Sequence, residues 1–152
     1  MEEKLFNQIS DDIKTAMLAR DKMSLEALRG IKKEFLEAKT AKGGDGTLAD
    51  ENAVKILQKM VKQRKESARI YQEQAREDLA LVELAEVAVI SKYLPVQMTG
   101  DSLKAILMEI IAQIGASGPQ DMGKVMGLAT KQLAGKAEGR EISETVKRLL
   151  NN

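Results

Sequence analysis

The apolar residues of this chain recur at intervals of three and four from one end to the other, and that period confines it to packed α-helices. No stretch alternates for long with the period of two that a half-buried strand needs. Two prolines, Pro95 and Pro119, and glycine clusters at 43–46, 115–118 and 135–139 punctuate the pattern. The chain is therefore read as all-α.

A first helix is expected over about 3–20, with Leu5, Ile9, Ile13 and Met17 on one stripe and Phe6 widening it. A second, over about 24–41, is capped by Ser24 and turns Leu25, Leu28, Ile31 and Phe35 inward. Gly43, Gly44, Asp45 and Gly46 make a hairpin loop, after which Thr47 and Asp50 fit a capping pattern with Asp in place of Glu or Gln. The long third helix, about 50–76, puts Leu57, Val61, Ala68, Tyr71 and Ala75 on one face, opposite Lys55, Lys59, Lys62, Lys65 and Arg69. The fourth, about 79–94, is apolar almost all round, which predicts burial on several sides, and Pro95 stops it.

The pattern then restarts. Thr99 caps a fifth helix, about 100–114, with Leu103, Ile106, Leu107, Ile110, Ile111 and Ile114 inward and Gly115 beyond its end. A sixth, about 119–134, carries Met122, Val125, Met126, Ala129 and Leu133, and Gly135 ends it. The last, about 141–150, shows Ile142, Val146, Leu149 and Leu150. A boundary near Pro95 is expected, with a long-helix subdomain over 1–95 and a small three-helix bundle over 96–152.

Composition narrows the chemistry. At 152 residues the chain can bury roughly two-thirds of its unfolded surface without staples. It has no cysteine and no histidine, which excludes disulfides, Cys/His zinc sites, thiol nucleophiles and every His-dependent triad. With 24 basic and 23 acidic residues the net charge is +1, so attraction to nucleic acid needs a local patch. No segment reaches the roughly 18 to 20 apolar residues of a membrane span. The start, Met1-Glu2-Glu3-Lys4, is acidic and unlike a secretory signal. A soluble, cytoplasmic protein is the expectation.

The sixth helix holds the first candidate site. Gly123, Gly127, Thr130 and Ala134 share one flank, with Lys124 and Lys131 beside them. Glycine inside a helix costs about 1 kcal/mol against alanine, so two of them call for a reason. Either another helix packs tightly there, or a nucleic-acid backbone lies on the smooth flank with the lysines on phosphates. Lys136 and Arg140, expected in the following loop, extend that patch. The basic face of the third helix is a second candidate, although no aromatic residue is interleaved there for base stacking. Arg64 falls within the apolar face of its helix, and Glu83 and Glu86 face partly inward on the next. That arrangement suits a structural ion pair between Arg64 and one of the two glutamates better than an acid pair for catalysis.

No catalytic motif stands out. Thr130 to Ala137 ends like a phosphate-binding loop, but Thr130 replaces its first glycine and Ala137 its Ser/Thr. Asp45 to Glu51 is too sparse for a calcium loop. No metal or cofactor is expected.

Four separated segments nonetheless stand in register with a known family. Lys62-Gln63-Arg64-Lys65-Glu66-Ser67-Ala68, Tyr93-Leu94-Pro95-Val96-Gln97-Met98, Asp121-Met122-Gly123-Lys124-Val125-Met126-Gly127 and Gly135-Lys136-Ala137-Glu138-Gly139 resemble the YqeY family. The early Leu28-Arg29-Gly30-Ile31-Lys32 segment does so as well, which carries the resemblance over essentially the whole chain. It implies an all-helical, two-part protein whose C-terminal part is similar to the tail domain of the B subunit (GatB) of tRNA-dependent amidotransferases. It also implies an annotation of carbon–nitrogen ligase activity with glutamine as amido-N-donor. In those enzymes the tail contacts tRNA, while amidation and ammonia release belong to other domains. The Ser–Ser–Lys arrangement of their amidase part is missing here, since no Ser-Ser pair occurs. The resemblance thus implies an accessory protein that binds tRNA without catalysis. A helical adaptor for an amidotransferase or aminoacyl-tRNA synthetase is the second reading, and an enzyme in its own right the third. No membrane partner is expected.

Overall fold

The computed structural model describes residues 3–151, and every regular element among them is helical. Helices α1 (Lys4–Ala19), α2 (Lys22–Lys39), α3 (Asp50–Glu73) and α4 (Glu77–Ser91) make one unit. Helix α5 (Gly100–Ile114), a 3₁₀ turn (Pro119–Asp121), α6 (Met122–Gln132) and α7 (Gly139–Leu150) make the other, the division falling between Leu94 and Pro95.

In the first unit α3 lies along α4, α1 lies on α2, and α2 also meets α4. Their apolar stripes close on Ile9, Ile31, Phe35, Leu57 and Ile90, all fully buried. Carboxylates tie the start of α1 to the start of α3. Glu3 accepts from the Leu48 N–H at 2.7 Å and pairs with Lys39 at 3.0 Å, while Asp50 accepts from the Leu5 N–H at 3.0 Å. The Leu48 N–H, then Lys39, hold the Glu3 carboxyl below its usual range. Tyr93, just after α4, donates its hydroxyl to Asp12 of α1 at 2.5 Å. Burial first, and this bond second, push the phenol above its ordinary value.

The second unit has its own core, in which Leu103 and Leu107 of α5, Val125 and Ala129 of α6, and Val146 of α7 are fully buried. The segment after Pro95 joins this unit. Met98 donates its N–H to the Lys136 carbonyl at 2.6 Å, and Gln97 Nε2 donates to the Gly135 carbonyl at 2.8 Å.

Several local expectations are corrected. Asp21, and not Ser24, caps α2: its carboxylate accepts from the Ser24 N–H at 3.1 Å and from the Ser24 hydroxyl at 2.7 Å. Asp45 takes the Thr47 N–H at 3.0 Å, so α3 starts at Asp50 after Ala49 with no side-chain cap. Met17 is exposed, because the buried line of α1 steps by three from Ile13 to Ala16. Helix α3 stops at Glu73 and leaves Ala75 in the turn, at φ 57°. Helix α4 ends at Ser91, short of Pro95: the N–H groups of Lys92, Tyr93 and Leu94 turn back to the carbonyls three residues earlier, and Pro95 has no N–H to carry the ladder on. It is not enclosed on several sides: Leu81, Val82 and Leu84 are 63%, 54% and 38% exposed. The sixth helix begins as the separate 3₁₀ turn and ends at Gln132, and Ile114 of α5 is exposed.

Candidate nucleic-acid interface

Gly118, buried and extended, leads into the 3₁₀ turn, and Asp121 accepts from the Ser117 N–H at 2.9 Å to hold the entry to α6. From there Val125, Ala129 and Leu133 anchor the helix in its core. That register forces Gly123, Lys124, Gly127, Thr130 and Lys131 onto the outer side, where all five are exposed. A Cβ built on Gly123 or on Gly127 meets no neighbouring atom within 4 Å. The glycines therefore do not admit a helix of their own unit, which the tight-packing reading of the sequence required. The strip they form is bare, flanked by two ammonium groups, and α6 itself bears no acidic residue.

The other two basic residues are placed differently. Gly135, at φ 78°, reverses the chain after α6, and buried Ala137 fixes the loop, leaving the Lys136 side chain exposed. Arg140 is not in that loop but in the first turn of α7, where its Nε lies 3.1 Å from Glu144 Oε1. The contact is exposed on both sides and therefore weak. Lys124, Lys131 and Lys136 form no ion pair among the described residues.

The basic face of α3 is more neutralised than its composition suggests. Lys55 lies 3.8 Å from Glu51, and Arg69 is gripped by Glu66 and Glu73. Lys59, Lys62 and Lys65 remain as exposed charges. Arg64 turns away from that face, and its Nε lies 3.2 Å from Glu86 Oε2 with about a fifth of each side chain exposed. Glu83, half-buried one turn earlier, has no ion pair among the described residues. Gly30 of α2 backs this contact: a Cβ there would touch Arg64 Nη2 at 3.4 Å. The sequence singled out Gly30 only within a resembling segment and gave no hint of its place behind Arg64. Among the described residues no group of three or more acidic side chains could hold a metal ion.

The family model described as Yqey-like protein matches residues 6–150. Three relatives share the name "Altered inheritance of mitochondria protein 41, mitochondrial". That of Clavispora lusitaniae is 33% identical over 85% of this chain and 74% of its own length. That of Meyerozyma guilliermondii is 34% identical over 80% of this chain and 65% of its own. That of Pyrenophora tritici-repentis is 28% identical over 92% and 77%. The chain thus spans about two-thirds to three-quarters of the length of these relatives. Their names overturn the expectation of a cytoplasmic protein. The physical reason is plain: a test for apolar spans and secretory signals does not separate cytoplasm from mitochondrion, since neither destination uses those features. No described helix is long and apolar enough to cross a membrane.

Proposed function

The chain belongs to the Yqey-like protein family, and from that premise we propose that it is a non-catalytic accessory protein that binds tRNA, with the outer side of α6 against the RNA backbone. On this reading residues 1–95 serve as a helical scaffold and 96–152 carry the RNA surface. The single observation that supports it best is the open flank of Gly123 and Gly127 beside Lys124 and Lys131. Two helix-weakening residues stand side by side where nothing in their unit needs the room. A phosphate backbone laid on that strip meets no side chain that would hold it off, and two ammonium groups stand beside it. Lys136 adds a third charge, and Arg140 a fourth once it exchanges Glu144 for a phosphate. A carbon–nitrogen ligase label belongs, on this reading, to partners that carry the reacting groups.

Retention of tRNA on the full chain as a function of salt is the test. Four phosphate contacts give a log–log slope of about −3 to −4. Lys124→Ala with Lys131→Ala should reduce it by about 1.5 to 2, and Lys59→Ala with Lys62→Ala by much less. A dominant effect of the α3 pair would move the interface to the wrong unit for this proposal. If tRNA is not held at low salt, the adaptor reading takes its place. A bare helical strip also suits close approach of a partner's helix, and a pull-down from native extract that survives ribonuclease would establish it.

A further inference from the structure

Helix α4 presents a face that the fold leaves open. Leu81, Leu84, Ala85 and Ala88 lie on one side of it, with Glu77 at the near end and Lys92 just past the far end. At about 100° per residue these six positions fall within an arc of roughly 100°. Leu81 and Leu84 are 63% and 38% exposed, Ala88 is exposed and Ala85 half-buried. Glu77 and Lys92 are exposed and form no ion pair among the described residues, although Asp21, ahead of α2, is near enough to feel the Lys92 charge; neighbouring Asp78 is held by Arg76 at 3.1 Å.

The order of residues along this face is its own complement. When two copies of α4 are laid antiparallel about a two-fold axis between Leu84 and Ala85, Leu84 meets Ala85, Leu81 meets Ala88, and Glu77 meets Lys92. Every contact puts a large side chain against a small one or an acid against a base, and each occurs twice, as an isologous interface requires. A parallel arrangement would set Glu77 against Glu77 and Lys92 against Lys92. We propose that the α4 face is a self-association surface, and that its occupant is the α4 face of a second copy of this chain. One helix-on-helix contact sits at or below the low end of specific interfaces, roughly 1,200 Å² in all. The dimer is accordingly weak, with a Kd of about 10–500 µM.

Sedimentation equilibrium on the full chain, from about 5 µM to about 1 mM, reads this directly. The weight-average mass should rise from 16.7 kDa towards twice that value. Leu81→Glu, at an exposed position, should leave the helical circular dichroism unchanged and hold the protein monomeric. Glu77→Lys alone and Lys92→Glu alone should each weaken the dimer about tenfold, since both symmetric pairs become repulsive. The two changes together should restore it, even though the swapped charges oppose the helix dipole. That recovery separates a contact between copies from mere stabilisation of α4. A monomer at every concentration, a dimer indifferent to Leu81→Glu, or a double reversal that fails to recover would each overturn the proposal.

Discussion

Arg64 Nε and Glu86 Oε2 lie 3.2 Å apart between α3 and α4, with Gly30 of α2 close behind the guanidinium. Three helices of the first unit thus converge on one charge pair, of which about four-fifths of each side chain is withdrawn from water.

Removing one partner leaves the other largely desolvated and unpaired. Arg64→Ala should therefore destabilise the protein by roughly 1–3 kcal/mol, below the range for fully buried pairs because solvent still reaches this one. Glu83→Gln and Lys62→Ala should leave the melting temperature close to that of the parent. Thermal unfolding followed by circular dichroism compares all three, and equal effects would show that Arg64 is merely solvated.

Ala75 sits at φ 57°, a region that suits glycine. Its N–H reaches the Gln72 carbonyl, and the Arg76 N–H reaches Tyr71 at 2.8 Å, which together close the end of α3. Ala75→Gly keeps both bonds and relieves the strain, so it should stabilise by about 1 kcal/mol. A fall in melting temperature would mean that the methyl group has a packing role.

The Ser24 hydroxyl, and then its N–H, hold the Asp21 carboxyl below 3.8. A depressed value in the fold means that its stabilisation is complete above 3.8 and is lost as the pH falls below it. Asp21→Ala should lower the melting temperature at pH 7, and the difference from the parent should shrink as the pH is taken below 3.8. A difference that persists undiminished in acid would assign the effect to something other than the carboxylate cap.

Gly123→Ala and Gly127→Ala place methyl groups in open space, so each should stabilise α6 by about 1 kcal/mol. A variant carrying both changes should bind tRNA more weakly, if the bare strip receives the backbone. Gains in both melting temperature and tRNA retention would count against the proposed interface.

These turns also show what sequence conveys and what it does not. Helices α1, α3 and α5 end in the same pair of reversed hydrogen bonds, with Arg20, Ala75 and Gly115 at positive φ. Only Gly115 announces itself, because glycine is the residue whose presence signals a left-handed backbone. Arg20 and Ala75 adopt it with no such residue to mark it, as the helix-closing hydrogen bonds form, so α3 is read three residues too long. Asp21 and Ser24 are both good caps, and which one acts depends on a hydrogen bond between them. The apolar residues around α4 indicate hydrophobic surroundings without saying whose. At the candidate site, the grouping of Gly123, Gly127, Lys124 and Lys131 follows from helical period alone. That nothing covers the glycines, and that Arg140 is already paired with Glu144, depends on how α6 and α7 settle on their core.

The bond from Tyr93 to Asp12 sets the order in which the first unit can be completed. It joins positions 81 residues apart, so α1 lacks this attachment until the last turn of that unit has been made. On a ribosome adding about 5–20 residues per second, α1 waits several seconds for its partner to emerge. Meanwhile the pairing of α1 with α2, which are neighbours in the chain, is available early and at little loop-closure cost. A nascent chain in which that pairing forms first would hold a two-helix hairpin with its inner face uncovered until α3 and α4 follow.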